Sequence, residues 1–262
     1  MNGVNQTLYI PLYGKALVSQ QNIILKDETA QSIWEQVKFP LKAKSRSKWL
    51  AYYMGMRAKV FDDWLSGKLN AHPEAVVLHL GCGLDSRNLR VFAKDAMWYD
   101  VDFPQVIQER QKYYAENDHY RMIPSSVTDP EFLKQIPAAN TALVVMEGIS
   151  MYLKPEDLTE LLRNLSSHFA QVHLLMDCYT EFAARMSKYK NPVNDVGVTQ
   201  VYGMDDPDAL AAKAGIHYLQ EEEMTPESLI SQLPKLQQPV FRKLYAGSMS
   251  RKLYKLYIFE SK

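Results

Sequence analysis

Val76 to Arg87, VVLHLGCGLDSR, is the stretch whose reading decides the fold. Val76, Val77, Leu78, His79 and Leu80 form a short, mostly apolar run that stops at Gly81. A buried parallel strand entering a tight turn reads this way. Gly81 and Gly83 flank Cys82, so the backbone can turn sharply and approach a ligand with no Cβ in the way. Asp85 and Ser86 are both able to cap the helix that follows, expected over residues 86–94. A strand, a glycine turn and a helix N-terminus together make a nucleotide-type site at a strand end. The third glycine of a dinucleotide fingerprint would fall at Ser86, so that pattern is incomplete. A strand-to-helix turn with no ligand is the competing interpretation. Cys82 reads as a small residue that fits the turn rather than as a reactive thiol.

Downstream, residues 97–102 (MWYDVD) read as a second strand ending in acidic residues. Asp102 follows the glycine turn by about 20 residues, the spacing that brings a carboxylate to a ribose. Asp102 is preferred to Asp100, because the Phe103–Pro104 that follows marks the start of a loop. The competing role for Asp102 is to cap a helix expected over residues 104–116. A weak strand covers residues 120–123. Ser126 then stands where an adenine edge would lie, and Asp129 is equally suited to cap a helix. TALVVM, residues 141–146, is a strong strand, and Glu147 at its carboxyl end falls in the crevice where open α/β sheets bind ligands. A helix over residues 155–169 and a strand over residues 171–176 follow. A lid insertion is expected at about 181–203, and a helix over residues 206–214. Residues 217–220 begin another strand, and the alternation in residues 253–260 gives a last strand and an antiparallel edge.

Upstream, residues 30–37 and 48–69 show helical spacing, divided by Pro40. Lys15, Lys48 and Arg57 are cations that can serve a pocket. Solvated helix charge is the alternative, and for Arg57 a pairing with Asp62 or Asp63.

The chain has 262 residues with 30 basic and 30 acidic side chains. That balance argues against a nucleic-acid partner. No apolar run is long enough to span a bilayer, the N-terminus lacks a secretory pattern, and no membrane partner is expected. Two cysteines, Cys82 and Cys178, suit a reducing compartment, and we expect a cytoplasmic protein.

LGCGLDSR, WYDVDFPQV and EGISMYL, with the N-terminal PLYGKAL and GMRAKVFDD, resemble the leucine carboxyl methyltransferase-like family over residues 8 to about 180. The resemblance implies a Rossmann-like class I methyltransferase fold: an α/β domain with a seven-stranded, mostly parallel sheet and one antiparallel strand. A helical N-terminal lid would occupy residues 1–70, and the core residues 71–262. It implies S-adenosylmethionine as methyl donor. Carried over by position, Gly81 lies against the donor's amino-acid part, and Arg57 pairs with its carboxylate, with Lys15 a second partner. Asp102 holds the ribose hydroxyls, Ser126 and Val127 flank the adenine, and Glu147 closes the site near the amino group and sulfonium. Cys82, Gly83, Phe103 and Gly148 complete the cofactor-binding set.

The family often has an acidic residue where Ser126 stands, so Asp129 is an alternative adenine partner. His79 reads as a buried core histidine rather than a base. Tyr152, Tyr179 and Tyr202 are expected as walls of an acceptor pocket, with core packing as their competing role. No metal site is expected and no catalytic residue is assigned. The activity implied is transfer of a methyl group to a carboxylate or hydroxyl oxygen of a small molecule. The alternatives are methylation of a protein C-terminal carboxylate and a non-catalytic, nucleoside-binding regulatory module. A nicotinamide-dependent oxidoreductase is disfavoured by the missing third glycine.

Overall fold

The computed structural model describes residues 7–41, 44–91, 94–187 and 200–261. Three helices come first: α1 (Tyr9–Gln20), α2 (Glu28–Gln36) and α3 (Lys48–Ala71). Asp27 caps α2 by accepting the Ala30 N–H at 2.8 Å. The sheet region then runs β1 (Val76–Leu80), α4 (Arg87–Arg90), β2 (Met97–Asp102), α5 (Pro104–Arg110), β3 (Tyr120–Pro124), β4 (Thr141–Met146), α6 (Pro155–His168) and β5 (Gln171–Tyr179). It closes with α7 (Glu181–Ser187), α8 (Pro207–Ala214), β6 (His217–Glu221), α9 (Glu227–Ile230), α10 (Gln238–Phe241), α11 (Ser248–Arg251) and β7 (Tyr254–Glu260).

The seven strands form one sheet in the order β3-β2-β1-β4-β5-β7-β6. Strands β1 to β5 are parallel, and β7 runs antiparallel to both β5 and β6. This is the sheet that the family resemblance implies. The chain moves outward from β1 in one direction to β2 and β3, then returns to start β4 on the other side. That reversal opens a crevice at the carboxyl ends of β1 and β4.

Both faces of the sheet are covered, which is why the central strands read as unbroken apolar runs. Val77, Leu143, Val145 and Leu175 pack with the N-terminal helices in one cluster. Leu78, Val144, Met146 and Leu174 pack with α6 and α8 in the other. The N-terminal segment expected as a lid therefore shares a core with the sheet. Helix α1 meets α3 closely: a Cβ on Gly14 would lie 2.8 Å from Met54 Cβ.

Several elements differ from expectation. Helix α1 was not singled out by its sequence. Helix α4 is one turn long, and residues 92–93 of its expected span lie outside the described residues. Helix α5 ends at Arg110 rather than at 116, where the backbone passes into tighter turns: Lys112 N–H donates to the Glu109 carbonyl and Tyr113 N–H to the Arg110 carbonyl. Strand β5 runs on to Tyr179, since Asp177, Cys178 and Tyr179 pair with Leu256, Lys255 and Tyr254 of β7. Of the expected lid insertion, Glu181–Ser187 is helical, and residues 188–199 lie outside the described residues.

Candidate active site

The glycine turn after β1 is bound to the end of β2. Gly81 N–H donates to the Val101 carbonyl at 2.7 Å, and its backbone sits at φ +68°. A Cβ there would lie 2.1 Å from Ile149 Cγ2, so only glycine fits on both conformational and steric grounds. Gly83 N–H donates to Asp102 Oδ2 at 2.8 Å, and Phe103 N–H donates to Oδ1 at 2.7 Å. Phe103, not Asp102, occupies the cap position of α5. Asp102 thus ties two loops together while each oxygen keeps further acceptor capacity, and it lines a cavity. Burial pushes its carboxyl up to about 6, against the two backbone hydrogen bonds that lower it. Asp100 lies on the same face of β2, two residues deeper in the strand. It accepts from Trp98 Nε1 at 2.8 Å and Tyr120 Oη at 2.6 Å and pairs with Arg110, with no exposure. It is a structural carboxylate.

A buried ion network stands beside the turn. Lys15 Nζ lies 2.7 Å from Asp85 Oδ2. Arg90 reaches Asp85 at 2.8 Å, Asp27 at 2.6 Å and Asp62 at 2.7 Å. Arg87 Nε contacts Asp62 Oδ1 at 2.7 Å, and its other arm pairs with Glu147 Oε2. Arg57 contacts Glu147 Oε1 at 3.0 Å and Asp177 Oδ2 at 3.1 Å, and donates to Tyr254 Oη at 2.8 Å. Glu147 therefore sits between two guanidinium groups. Burial works to raise its carboxyl, but Arg57 and Arg87 hold it below the usual range. Asp177 is raised, chiefly by burial. Lys15, Arg57, Arg87 and Arg90 carry four positive charges against the five carboxylates of Asp27, Asp62, Asp85, Glu147 and Asp177. With all of them ionised, the network has one negative charge in excess.

The competing role holds for one of the three cations and not for Arg57. Arg57 does not pair with Asp62 or Asp63; Asp63 pairs with Lys59. Lys48 does not line the cavity: it is an exposed helix charge lying over the Trp49 ring, 4.7 Å from its centroid. His79 is 1% exposed. Its Nε2 faces Arg87 Nη1 at 3.1 Å and its Nδ1 faces Asp100 Oδ1 at 3.4 Å. Since guanidinium only donates, Nε2 must accept, and Nδ1 carries the proton. Burial lowers its pKa, so it is a neutral core histidine.

The crevice opens into a cavity of about 610 Å3. Phe103, Ser126 and Val127 line one part of it; Lys15, Arg57, Gly81, Cys82, Gly83, Glu147 and Gly148 line the part over β1 and β4. An aromatic chamber continues from there, with Tyr53, Tyr152, Tyr179, Tyr245 and Tyr254 in its wall. Tyr53 packs on Tyr245 at 5.2 Å between ring centroids, and Tyr179 on Tyr254 at 5.1 Å. Tyr202 does not line the cavity; its N–H donates to the Met151 carbonyl at 2.8 Å. The Ser126 hydroxyl is bonded to Thr128 Oγ1 at 2.8 Å. Asp129 accepts from Glu131 N–H at 3.0 Å as the cap of a 3-10 turn, outside the cavity. Among the described residues no group of potential ligands is placed to hold a metal ion.

Sequence reasoning missed Asp85 as a cavity residue, and Arg87, Asp177, Tyr53 and Tyr254 altogether. Asp177 was findable, because it stands near the carboxyl end of β5 as Glu147 stands after β4. Arg87 carried no signal, since an arginine opening a helix normally reads as solvated.

Comparison with known proteins places this geometry. The leucine carboxyl methyltransferase family model matches residues 5–166. The tetracenomycin polyketide synthesis O-methyltransferase TcmP of Streptomyces glaucescens is 34% identical over 227 residues, covering 86% of this chain and 84% of that protein. The S-adenosyl-L-methionine-dependent methyltransferase dpfgK of Gibberella zeae is 25% identical over 230 residues, covering 79% of this chain and 77% of that one. Among solved structures, magnesium protoporphyrin IX methyltransferase from Synechocystis PCC 6803 with bound SAH superposes with a TM-score of 0.51 at 11% identity. That alignment covers 95% of this chain and all of the other, and it speaks to the fold. The chain belongs to the leucine carboxyl methyltransferase family of S-adenosylmethionine-dependent methyltransferases.

Proposed function

We propose that this protein transfers a methyl group from S-adenosylmethionine to an oxygen atom of a small-molecule acceptor. The observation that carries this reading is one continuous cavity with a polar floor at the glycine turn, Asp102 and Glu147 and an aromatic chamber beyond. Its volume falls within the range of small-molecule sites. The family membership and the likeness to TcmP, an O-methyltransferase of polyketide synthesis, support the oxygen and the small acceptor.

The residues present fit the donor. Asp102 offers acceptor lone pairs to a vicinal diol after satisfying two backbone N–H groups. Gly81 leaves open a space that any Cβ would close. The excess negative charge of the ion network suits a ligand whose sulfonium and ammonium outweigh its single carboxylate. Arg57 and Lys15 are the cations that face this carboxylate, both in the cavity wall.

When bound, S-adenosylmethionine supplies a methyl group already activated on sulfur. The protein's own task is to hold and align. Asp102 and the turn fix the nucleoside end, and Arg57, Lys15 and Glu147 fix the amino-acid end. The tyrosine-rich chamber excludes water and directs the acceptor oxygen along the line of displacement. Such alignment alone can lower a barrier by several kcal/mol. A carboxylate acceptor is ionised at neutral pH and needs no base. His79 is the one histidine lining the cavity among the described residues; its Nε2 accepts from Arg87 and its Nδ1 lies 3.4 Å from Asp100 Oδ1.

A mass-spectrometric methyl-transfer assay tests the reading. Aromatic carboxylic acids, phenols and a peptide with a C-terminal leucine serve as acceptors. A product heavier by one methylene unit from an acid or phenol supports it. Turnover of the peptide alone transfers the assignment to protein carboxylates.

A further inference from the structure

Nine large hydrophobic side chains are exposed among the described residues, and six of them lie in two segments that border the cavity. Phe182 and Met186 are on α7, while Leu236, Val240, Leu244 and Met249 are on the chain leading into β7. Met186 and Leu244 also line the cavity, so this apolar surface is continuous with the chamber.

Residues 234–246 form a helical ramp. Gln238 N–H donates to the Pro234 carbonyl and Phe241 N–H to the Gln237 carbonyl. A π-turn over Arg242–Ala246 continues it. Leu236, Val240 and Leu244 recur at four-residue spacing along the ramp, and Phe241 is buried on the inner side against Tyr52 and Tyr245. The outer row is therefore not core.

Charge follows the same surface. Residues 228–259 contain six basic and no acidic side chains. Arg242, Arg251 and Lys255 pair with Glu227, Glu223 and Glu221. Lys235, Lys243 and Lys252 have no carboxylate partner among the described residues, and all three are exposed. Lys235 and Lys243 directly precede Leu236 and Leu244.

We propose that this surface docks the protein, without insertion of a spanning helix, onto an anionic lipid bilayer, with the cavity mouth facing the lipid. Exposed aliphatic side chains rimmed by lysines suit the boundary between acyl chains and anionic headgroups. The lysine stems lie along the apolar layer while their ammonium groups reach phosphates. Leu236 is 91% exposed, with no apolar surface covering it among the described residues. This departs from the expectation that no membrane partner is involved. No helix of the described residues is long and apolar enough to cross a membrane, and none is needed. An amphiphilic acceptor would then pass from the bilayer surface into the chamber.

Cosedimentation of the full chain with vesicles tests the proposal, and it needs neither donor nor acceptor, so its outcome is independent of the methyltransferase reading. The vesicles are phosphatidylcholine alone or phosphatidylcholine with phosphatidylglycerol. We expect binding to the anionic vesicles at least tenfold tighter than to the neutral ones, weakened by added salt. Leu236→Asp, and separately the combined Lys235→Glu, Lys243→Glu and Lys252→Glu variant, should each reduce it at least tenfold with unchanged melting. Failure of the wild type to bind anionic vesicles overturns the proposal. So does equal binding by both variants. So does concentration-dependent self-association that Leu236→Asp abolishes, which would assign the surface to a second copy of the chain.

Discussion

Asp102 and Glu147 do different work through one kind of group. Asp102 is half-buried beside the turn with backbone partners only, and its carboxyl rises to about 6. Hydroxyl groups of a ribose bind the ionised form, so donor affinity should decline as pH falls through about 6, approaching tenfold per unit below it. Titration with S-adenosylhomocysteine from pH 8 to 5 measures this, and Asp102→Asn should flatten the profile. For stability the sign is opposite. A carboxyl raised in the folded state binds protons more tightly there, so its contribution declines as pH rises from about 4 to about 6. Glu147 is held between Arg57 and Arg87. Glu147→Ala leaves two buried guanidinium groups underpaired and should destabilise by about 3–5 kcal/mol in chemical denaturation. The choice of Asp102 over Asp100 was legible in the sequence from the spacing to the glycine turn and from the loop that starts at Phe103–Pro104. The network was not, because Arg87 and Asp177 acquire their roles only when β1, β4 and β5 lie side by side.

The strands β1, β2 and β4 were legible to the residue, since burial on both faces leaves runs that only a central parallel strand explains. Elements ending on tertiary contacts were not. Helix α5 gives way to tighter turns after Arg110, whose side chain is held by Tyr120 Oη at 3.0 Å and the Gly83 carbonyl at 3.2 Å. Helix α1 contains Pro11 and Gly14, which argue against a helix locally. Pro11 is tolerated in the first turn, and Gly14 is used for close packing on α3. The turn after β1 is the element most sensitive to change. Gly81→Ala puts a Cβ on Ile149 at positive φ and should abolish donor binding, with a stability loss of at least about 1–3 kcal/mol. Gly215→Ala has a similar φ of +74° but nothing within 4 Å of the new Cβ. It should cost about 1 kcal/mol and leave donor binding intact. Thermal unfolding with and without S-adenosylhomocysteine separates the two.

At the scale of the whole molecule, the proposed donor region joins parts of the chain that are distant in sequence. Lys15 comes from α1, Arg57 from α3, Asp102 from β2 and Glu147 from the end of β4, and the N-terminal helices share a core with the sheet. Donor binding should therefore slow amide exchange in α1 as well as in the glycine turn, and should raise global stability by about 2.7 kcal/mol at 100 times Kd. Exchange protection confined to the turn would show that α1 is no part of the site. The central claim is that the crevice over β1, β2 and β4 holds S-adenosylmethionine through Asp102. Calorimetric titration of wild type and Asp102→Asn with S-adenosylhomocysteine, and of wild type with NAD, tests it most directly. We expect one site per chain for S-adenosylhomocysteine, affinity weakened at least tenfold in Asp102→Asn, and no binding of NAD. Wild-type affinity in the variant, or binding of NAD in place of S-adenosylhomocysteine, would contradict it.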